Sequence, residues 1–390
     1  MANVLVNIVS QQVVQNYLFI RQFYKNGDKL VFFHTKKFMS EAQNVLNTLF
    51  NEKIVIDDDD VKIIELEEED WPSMIECVES SIDDDNYLVN LTGGTKYMSL
   101  AVQKAFEKAG SCTFYYLPYP KNIFLNPNNE SPIKITHHVS INEYMSVHNV
   151  KYTVKHPVNQ KKYSYSFFDL YTKHFTDNDY LVINKLREYR NYGVEDVEYI
   201  SKNNYVKVTN KGKKNEKERI LPQISGLYEF LCKINYPMGS KSLSKEDVQY
   251  LSGGWFEEYV YYIIQDNVKP DDIAIGLFVK QQENANTNDL DVVFTKGNKL
   301  FVIECKTAIP KTEEKGETAM FREISYKAAS IKASLLKLPG NSFICSLNKG
   351  NEDYKTLANN MGIRYFDGNF FLEKEKEQEF YKEIIKIANI

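Results

Sequence analysis

Two acidic residues and a lysine in the C-terminal part of the chain, Asp291, Glu304 and Lys306, have the types and spacing for metal-assisted phosphodiester chemistry. Runs typical of β-strands flank Gly297-Asn298, which is a two-residue turn signal. If this turn closes a hairpin, Asp291 lies directly opposite Glu304 on one face, with Cβ atoms roughly 5 Å apart. Carboxylates that face each other between apolar strands repel unless a hard divalent cation lies between them. The pattern therefore indicates a metal-dependent phosphodiesterase site.

The same register places Asp289 opposite Lys306, so an ammonium group would join the two carboxylates. The other face of both strands is apolar, which predicts that the hairpin is buried on both sides. The residues of that face are Leu290, Val292, Phe294, Phe301, Ile303 and Cys305.

The spacing Asp291-x12-Glu304-x-Lys306 resembles the core of PD-(D/E)xK nucleases, although no proline stands before the aspartate. The resemblance implies that Asp291 and Glu304 bind Mg²⁺ or Mn²⁺, with the carbonyl of Cys305 as a further ligand. It also implies that Lys306 orients or activates the attacking water. We therefore expect metal-assisted hydrolysis of nucleic acid at this site.

In such nucleases a glutamate from the preceding helix usually completes the site, and Glu257 and Glu258 are the two candidates here. The apolar residues between 255 and 264 fall on one helical stripe. At ~100° per residue, Glu257 borders that stripe and Glu258 points away from it. We expect Glu257 to be the third catalytic carboxylate and metal ligand, and Glu258 to be solvated.

Strand and helix patterns alternate along the first 140 or so residues, which predicts a parallel, doubly wound sheet. Ligands bind such sheets at the carboxyl ends of the strands, where the strand order reverses. The predicted strands are Val4–Val9, Leu30–Phe33, Val61–Ile64, Tyr87–Leu91 and Thr113–Leu117.

One of these strands leads directly into Thr92-Gly93-Gly94-Thr95-Lys96, which opens a helix. Glycines permit close approach of the backbone, a helix N-terminus offers free N–H groups, and the lysine adds a positive charge. Thr95 is placed to cap the helix. The loop suits a phosphate group; the alternative is an ordinary Gly-Gly turn with an N-cap.

In context, this loop resembles the TGGTK loop of CARF domains, the Rossmann-like sensors of CRISPR systems. The resemblance covers about residues 1–145. It implies that cyclic oligoadenylate binds across a two-fold homodimer, against Thr92–Lys96 on one side and Ser10 and Gln11 on the other. A dimer with one Lys96 per subunit fits the four phosphates of cyclic tetra-adenylate more simply than the six phosphates of cyclic hexa-adenylate. His137-His138 could also lie near this pocket, but we expect a surface pair with satisfied hydrogen bonds.

The order of the two segments resembles that of ancillary nucleases from type III CRISPR systems, which a cyclic oligoadenylate activates. We thus expect an α/β protein with a Rossmann-like (CARF) parallel sheet at 1–145 and a small connecting domain at 146–240. A restriction-endonuclease-like α/β/α domain is expected at 241–390. The alternatives are a constitutive restriction-type endonuclease and a nucleotide-sensing module with an inactive nuclease core.

The connecting region and the C-terminal tail carry further patterns. Helices are predicted at Tyr180–Tyr192 and Ala319–Leu336, and a strand at Ser342–Ser346. The basic run 207–219 could contact nucleic acid, but a solvated hairpin loop is favoured.

Composition narrows the class of protein. The 390 residues suffice for two or three domains, and the five cysteines show no CxxC spacing, which argues against disulfides and zinc. No stretch of 18 apolar residues or signal-peptide pattern occurs, so we expect a cytoplasmic protein without a membrane partner. A net charge of −5 argues against broad coating of duplex DNA and favours single strands, DNA or RNA.

Overall fold

The computed structural model describes residues 2–54, 56–83, 85–108, 111–118, 121–127, 129–154, 161–192, 196–198, 205–209, 218–237, 242–280, 288–307, 325, 341–347, 352–372 and 374–388. The chain is an α/β protein with a parallel five-stranded sheet in its N-terminal part and a mixed six-stranded sheet in its C-terminal part. None of the helices in these ranges is long and apolar enough to cross a membrane.

Strands and helices alternate in the N-terminal part as the buried runs predict. The strands are β1 (Asn3–Ile8), β2 (Lys29–His34), β3 (Val61–Glu65), β4 (Asn86–Asn90) and β5 (Cys112–Tyr115). The helices are α1 (Val14–Phe23), α2 (Met39–Asn51), α3 (Trp71–Glu79) and α4 (Lys96–Phe106). All strands are parallel in the order β3-β2-β1-β4-β5, so the strand order reverses between β1 and β4. The predicted doubly wound sheet is confirmed, with its crevice at the carboxyl ends of these two strands.

A short antiparallel ladder and a helix follow the parallel sheet. They are β6 (Ile123–Asn126), β7 (Asn129–Lys134) and α5 (Ile141–Val147). A capping box between Ser140 and Glu143 fixes the start of α5, because each side chain accepts a hydrogen bond from the backbone of the other residue.

The described elements between residues 146 and 240 include one strand of the C-terminal sheet. Strand β8 (Lys151–Val154) is an edge strand of that sheet. The other elements are α6 (Lys161–Asp169), α7 (Asp177–Tyr192), β9 (Asp196–Glu198), β10 (Tyr205–Thr209), β11 (Glu218–Pro222) and α8 (Leu227–Lys233). Strands β10 and β11 form a hairpin, but residues 210–217 of the basic run lie outside the described residues. The domain boundaries at 145 and 240 stay predictions.

The C-terminal sheet has the order β17-β16-β15-β14-β13-β8. Its elements and their neighbours are β12 (Ser242–Ser244), α9 (Lys245–Gln249), α10 (Trp255–Asn267), β13 (Asp272–Lys280), β14 (Asn288–Lys296), β15 (Lys299–Lys306), β16 (Ser342–Ser346), α11 (Glu352–Asn360), β17 (Arg364–Phe366), α12 (Gly368–Leu372) and α13 (Lys374–Ala388). The four strands from β8 to β15 are antiparallel, whereas β15, β16 and β17 run parallel. The predicted strand Ser342–Ser346 is confirmed, while the predicted helix Ala319–Leu336 lies outside the described residues apart from Ser325.

Both faces of the mixed sheet are covered. On one face, Phe256 of α10 shares a core with Val292 and Ile303 of the hairpin strands. On the other face, Val293 and its partner Val302 share a core with Tyr144 and other side chains of the N-terminal part. The hairpin strands are therefore buried on both sides, as predicted, and a buried strand position is rigid because interiors are close-packed.

Helix α6 covers a second side of α10. The ring of Phe167 stacks on Trp255 at 4.2 Å between centroids, and Phe168 stacks on Tyr259 at 4.0 Å. The aromatic residues of this segment thus pack into the core of the C-terminal part.

Candidate functional site

The β14–β15 hairpin closes at the turn that the sequence predicts. Gly297 and Asn298 have φ angles of 56° and 60°, which suit a two-residue turn of the I′ type. Lys296 pairs with Lys299, and the ladder continues to Val292 opposite Ile303. The predicted register is confirmed along this ladder, and the same register brings Asp291 and Glu304 to its open end.

At this open end the Asp291 carboxylate spans the two strands. Its Oδ2 accepts a hydrogen bond from the Cys305 backbone N–H at 2.6 Å. The N–H and C=O of a strand residue point to the same side, so the Cys305 carbonyl also faces β14. The structure therefore places the predicted carbonyl ligand on the same side of β15 as Asp291.

Lys306 lies between the two carboxylates. Its Nζ is 2.7 Å from Glu304 Oε1 and 3.5 Å from Asp291 Oδ2. Both carboxylate side chains are almost wholly buried. Burial alone would lower the pKa of Lys306, but the charges of Asp291 and Glu304 outweigh it and raise this pKa above its usual value. Lys306 is therefore a cation here, which suits it to orient water and to neutralise charge.

Glu257 faces the same cluster from the first turn of α10. Burial raises the pKa of its carboxyl group to about 8, and the charge of Asp291 adds to the effect, whereas Lys306 and Arg190 oppose it. The structure thus brings together the four residues that the sequence predicts, Glu257, Asp291, Glu304 and Lys306.

Of the two neighbouring acidic residues, one differs from expectation. Glu258 is 2% exposed, so the prediction of a solvated side chain was wrong. Other elements cover the second side of α10, and one of them carries Tyr250. The pKa of Tyr250 is raised by burial and further by the charge of Glu258, which shows that the two side chains lie close together. Asp289 pairs with Phe278 of β13 on one side, and the described pairing of β14 with β15 ends at Val292, so its place opposite Lys306 stays a prediction.

The donor set suits a hard cation, because Mg²⁺ and Mn²⁺ prefer carboxylate and carbonyl oxygens. Burial is the main cause of the raised pKa of Glu257, and the negative charge of Asp291 adds to it. In the described part of the chain, however, no three His, Cys, Asp or Glu side chains already lie close enough to hold a metal ion. The chemistry of the donor set fits a metal, and the carboxylates would have to approach one another to bind it.

A second cluster lies at the crevice of the N-terminal sheet, where Ser10 and Gln11 follow β1 and the segment Thr92–Lys96 follows β4. The backbones approach so closely that a Cβ on Gly93 would lie 1.8 Å from the carbonyl oxygen of Ile8. Gly94 has a φ of +73°, and a Cβ there would lie 2.3 Å from the Ile8 side chain. Only glycine fits both positions, so this loop is specified sterically against β1.

Hydrogen bonds fix the rest of the loop. Thr95 Oγ1 accepts from the Met98 N–H at 3.2 Å, which confirms the predicted cap of α4. Thr92 Oγ1 accepts from the Leu117 N–H at 2.8 Å. Lys96 is exposed in the first turn of the helix, where its charge and the helix N-terminus can act on one anion.

The turn of the β14–β15 hairpin is bound to the N-terminal part, which the sequence did not predict. Asn298 Nδ2 donates to the His137 carbonyl at 3.0 Å and to Asn122 Oδ1 at 2.7 Å. Asn298 Oδ1 accepts from the Val139 N–H at 2.8 Å. The hairpin of β14 and β15 therefore carries the acidic cluster at its open end and contacts the N-terminal part at its turn.

The segment that receives this turn is itself held firmly. His137 Nε2 lies 2.7 Å from Glu143 Oε1, and its side chain is 18% exposed, so the expectation of a surface residue was wrong for His137. Burial alone would raise the pKa of Glu143, but hydrogen bonds with His137 and others lower it to about 2. His138 is 60% exposed and lies 3.2 Å from Asp271 Oδ1, as expected of a satisfied surface residue.

Comparisons with known proteins agree with this arrangement. Residues 4–144 match the model of the Card1 CARF domain, and residues 244–369 match that of the Card1-like endonuclease domain. No curated protein sequence matches the chain.

Three solved structures have a similar fold. Protein VC1899 from Vibrio cholerae has a TM-score of 0.73 at 16% identity, over 99% of this chain and 98% of that one. Can2 from Sulfobacillus thermosulfidooxidans, solved with cyclic tetra-adenylate, has a TM-score of 0.70 at 18% identity over the whole of both chains. A type III CRISPR defence DNA nuclease activated by cyclic oligoadenylate has a TM-score of 0.52 at 12% identity, over 94% of this chain and 50% of that one. By its two domain matches and their order, the chain belongs to the CRISPR-associated proteins that join an N-terminal CARF domain to a C-terminal Card1-like endonuclease domain.

Proposed function

We propose that the protein is a metal-dependent nuclease of type III CRISPR antiviral defence that cyclic tetra-adenylate activates. The observation that carries the proposal is the convergence of Asp291, Glu304 and Lys306 at the open end of a buried hairpin within an endonuclease domain. The CARF domain and the fold shared with Can2, solved with cyclic tetra-adenylate, support the activator.

Each residue has a distinct task at the nuclease site. Glu257, Asp291, Glu304 and the Cys305 carbonyl would hold Mn²⁺ or Mg²⁺. When bound, the metal lowers the pKa of a water molecule and stabilises negative charge on the phosphate. Lys306, an ammonium between two carboxylates, orients that water and offsets charge that develops on the phosphate oxygens.

The activator site comprises Ser10, Gln11 and the segment Thr92–Lys96, with two copies facing each other across a homodimer axis. Exposed apolar side chains next to this crevice support the dimer, because large apolar residues at the surface often mark an interface. Tyr97 and Leu100 of α4 are 40% and 57% exposed, and Tyr116 after β5 is 47% exposed.

Activation requires that the ligand bind the active arrangement more tightly than the resting one. The Asn298 contacts give a physical route, because they bind the hairpin that carries Asp291 and Glu304 to the CARF domain. For substrate we propose single-stranded DNA or RNA, or nicking of plasmid DNA, in the cytoplasm, since the net charge of −5 does not favour coating of a duplex.

Paired variants test this division of labour. Glu304→Gln keeps the size of the side chain and should abolish cleavage while activator binding persists. Lys96→Ala should weaken activator binding and spare cleavage at saturating activator, and Lys104→Ala, on the last turn of the same helix, is its control for lost charge. Loss of cleavage at saturating activator in Lys96→Ala, or activity in Glu304→Gln, would contradict the assignment.

A further inference from the structure

Helix α7 brings an arginine, Arg187, to the edge of the nuclease site from outside the segment that matches the endonuclease model. Arg187 Nη2 donates to Thr307 Oγ1 at 3.0 Å, and Thr307 directly follows Lys306. Arg187 Nε donates to the Ser252 carbonyl at 3.4 Å, just before α10. One guanidinium group therefore fastens α7 both to the end of β15 and to the start of the helix that carries Glu257.

Arg190, one turn further along α7, lies over the same edge. Its Nη1 is 3.4 Å from the point that a Cβ on Gly253 would occupy, and Thr307 Oγ1 is 3.9 Å from that point. The guanidinium group of Arg190 therefore lies against Gly253, close to the hydroxyl group of Thr307. The charge of Arg190 also acts on Glu257 and opposes the rise of its pKa.

The charges at the nuclease site indicate what a guanidinium group at its edge can do. Two carboxylates, Asp291 and Glu304, face the one ammonium group of Lys306, so the site without a metal repels the phosphates of a nucleic acid. A guanidinium group at the rim offsets that repulsion, and its planar fork can donate two parallel hydrogen bonds to one phosphate. Arg190 is exposed, so its side chain can reach a bound strand.

We propose that Arg190 binds a backbone phosphate of the substrate strand beside the scissile bond, with Arg187 fixing α7 in place for it. The proposal rests on the proposed nuclease function and adds a substrate contact that lies outside both the carboxylate cluster and the matched endonuclease segment.

The test measures strand binding in a protein that does not cut. In the Glu304→Gln background, the affinity for a fluorescent single strand is measured over a series of salt concentrations, with saturating cyclic tetra-adenylate. Adding Arg190→Ala should weaken binding about tenfold or more, as expected for a hydrogen bond to a charged group. It should also make the slope of log K against log[salt] shallower by about 0.7. Arg190→Lys should retain the slope and recover part of the affinity.

Lys185→Ala is the matched control, because Lys185 is a half-exposed cation of the same helix that pairs with Glu188 at 2.7 Å. Equal affinity and equal salt slope for Arg190→Ala and Lys185→Ala would overturn the proposal, as would a strand that does not bind at all. Failure of the nuclease function shows separately, as absence of cleavage by the unmodified protein. In the active background, Arg190→Ala should raise KM and leave kcat within about threefold, since the lost contact lies beside the reacting phosphate.

Discussion

Replacement of Asn298 by glycine should separate activator binding from cleavage. The substitution removes the side chain that binds the hairpin turn to the His137 carbonyl, Asn122 Oδ1 and the Val139 N–H. It leaves the backbone unstrained, because Asn298 has a φ of 60°, which glycine adopts freely. The proposed catalytic residues at the other end of the strands keep their own contacts.

The magnitude follows from these three hydrogen bonds. Asn298 is 7% exposed, and a buried hydrogen bond contributes about 1 kcal/mol, so the three together contribute about 3 kcal/mol. If the whole of this free energy couples the two domains, its loss reduces activator stimulation by up to about 150-fold. Part of it will instead appear as a lower free energy of unfolding.

The assay compares Asn298→Gly with Asn149→Gly. Asn149 is an exposed asparagine with a φ of 53°, so this control makes the same chemical change at a similar backbone angle. Urea unfolding, affinity for cyclic tetra-adenylate and activator-stimulated cleavage are measured for both variants. We expect Asn298→Gly alone to lose stability and stimulation, with its activator affinity within about threefold of the control. Equal stability and equal stimulation in the two variants would refute the proposal that the Asn298 contacts couple the two domains.

Two further predictions concern the two sites. Gly93→Ala should lower the affinity for cyclic tetra-adenylate at least about tenfold without changing Mn²⁺ affinity, because its Cβ would lie 1.8 Å from the Ile8 carbonyl oxygen and displace the loop. Calorimetric titration with each ligand measures both affinities. An unchanged affinity for cyclic tetra-adenylate would contradict the prediction. Since a metal takes the ionised carboxyl group and the pKa of Glu257 is raised to about 8, Mn²⁺ affinity should rise up to about tenfold per pH unit from pH 6 and level off near pH 8. Glu257→Gln should flatten this rise, and a variant that keeps it would place the titrating group elsewhere.

Much of the nuclease site was predictable from the sequence, because its geometry is local. The turn at Gly297-Asn298 and the two-residue period of a strand fix which side chains face each other. The same reasoning placed Glu257 beside the apolar stripe of α10. The TGGTK-like loop was predictable for a similar reason, since a strand, two glycines and a capping threonine are contiguous in the chain.

The contacts that were missed join residues far apart in sequence. Glu258 is buried because other elements cover a second side of α10, which a helical stripe does not reveal. Asn298 looked like a turn residue only, and its partners lie more than 150 residues away. Arg190 reaches Gly253 through tertiary packing of α7, which no local pattern in the sequence indicates.

The measurement that tests the account most directly is cleavage of labelled single-stranded DNA, single-stranded RNA and supercoiled plasmid with Mn²⁺, each with and without cyclic tetra-adenylate. The account predicts cleavage only when both the metal and the activator are present, and it predicts that Glu304→Gln abolishes it. Cleavage at the same rate with and without the activator would contradict the sensor role of the N-terminal domain and indicate a constitutive endonuclease.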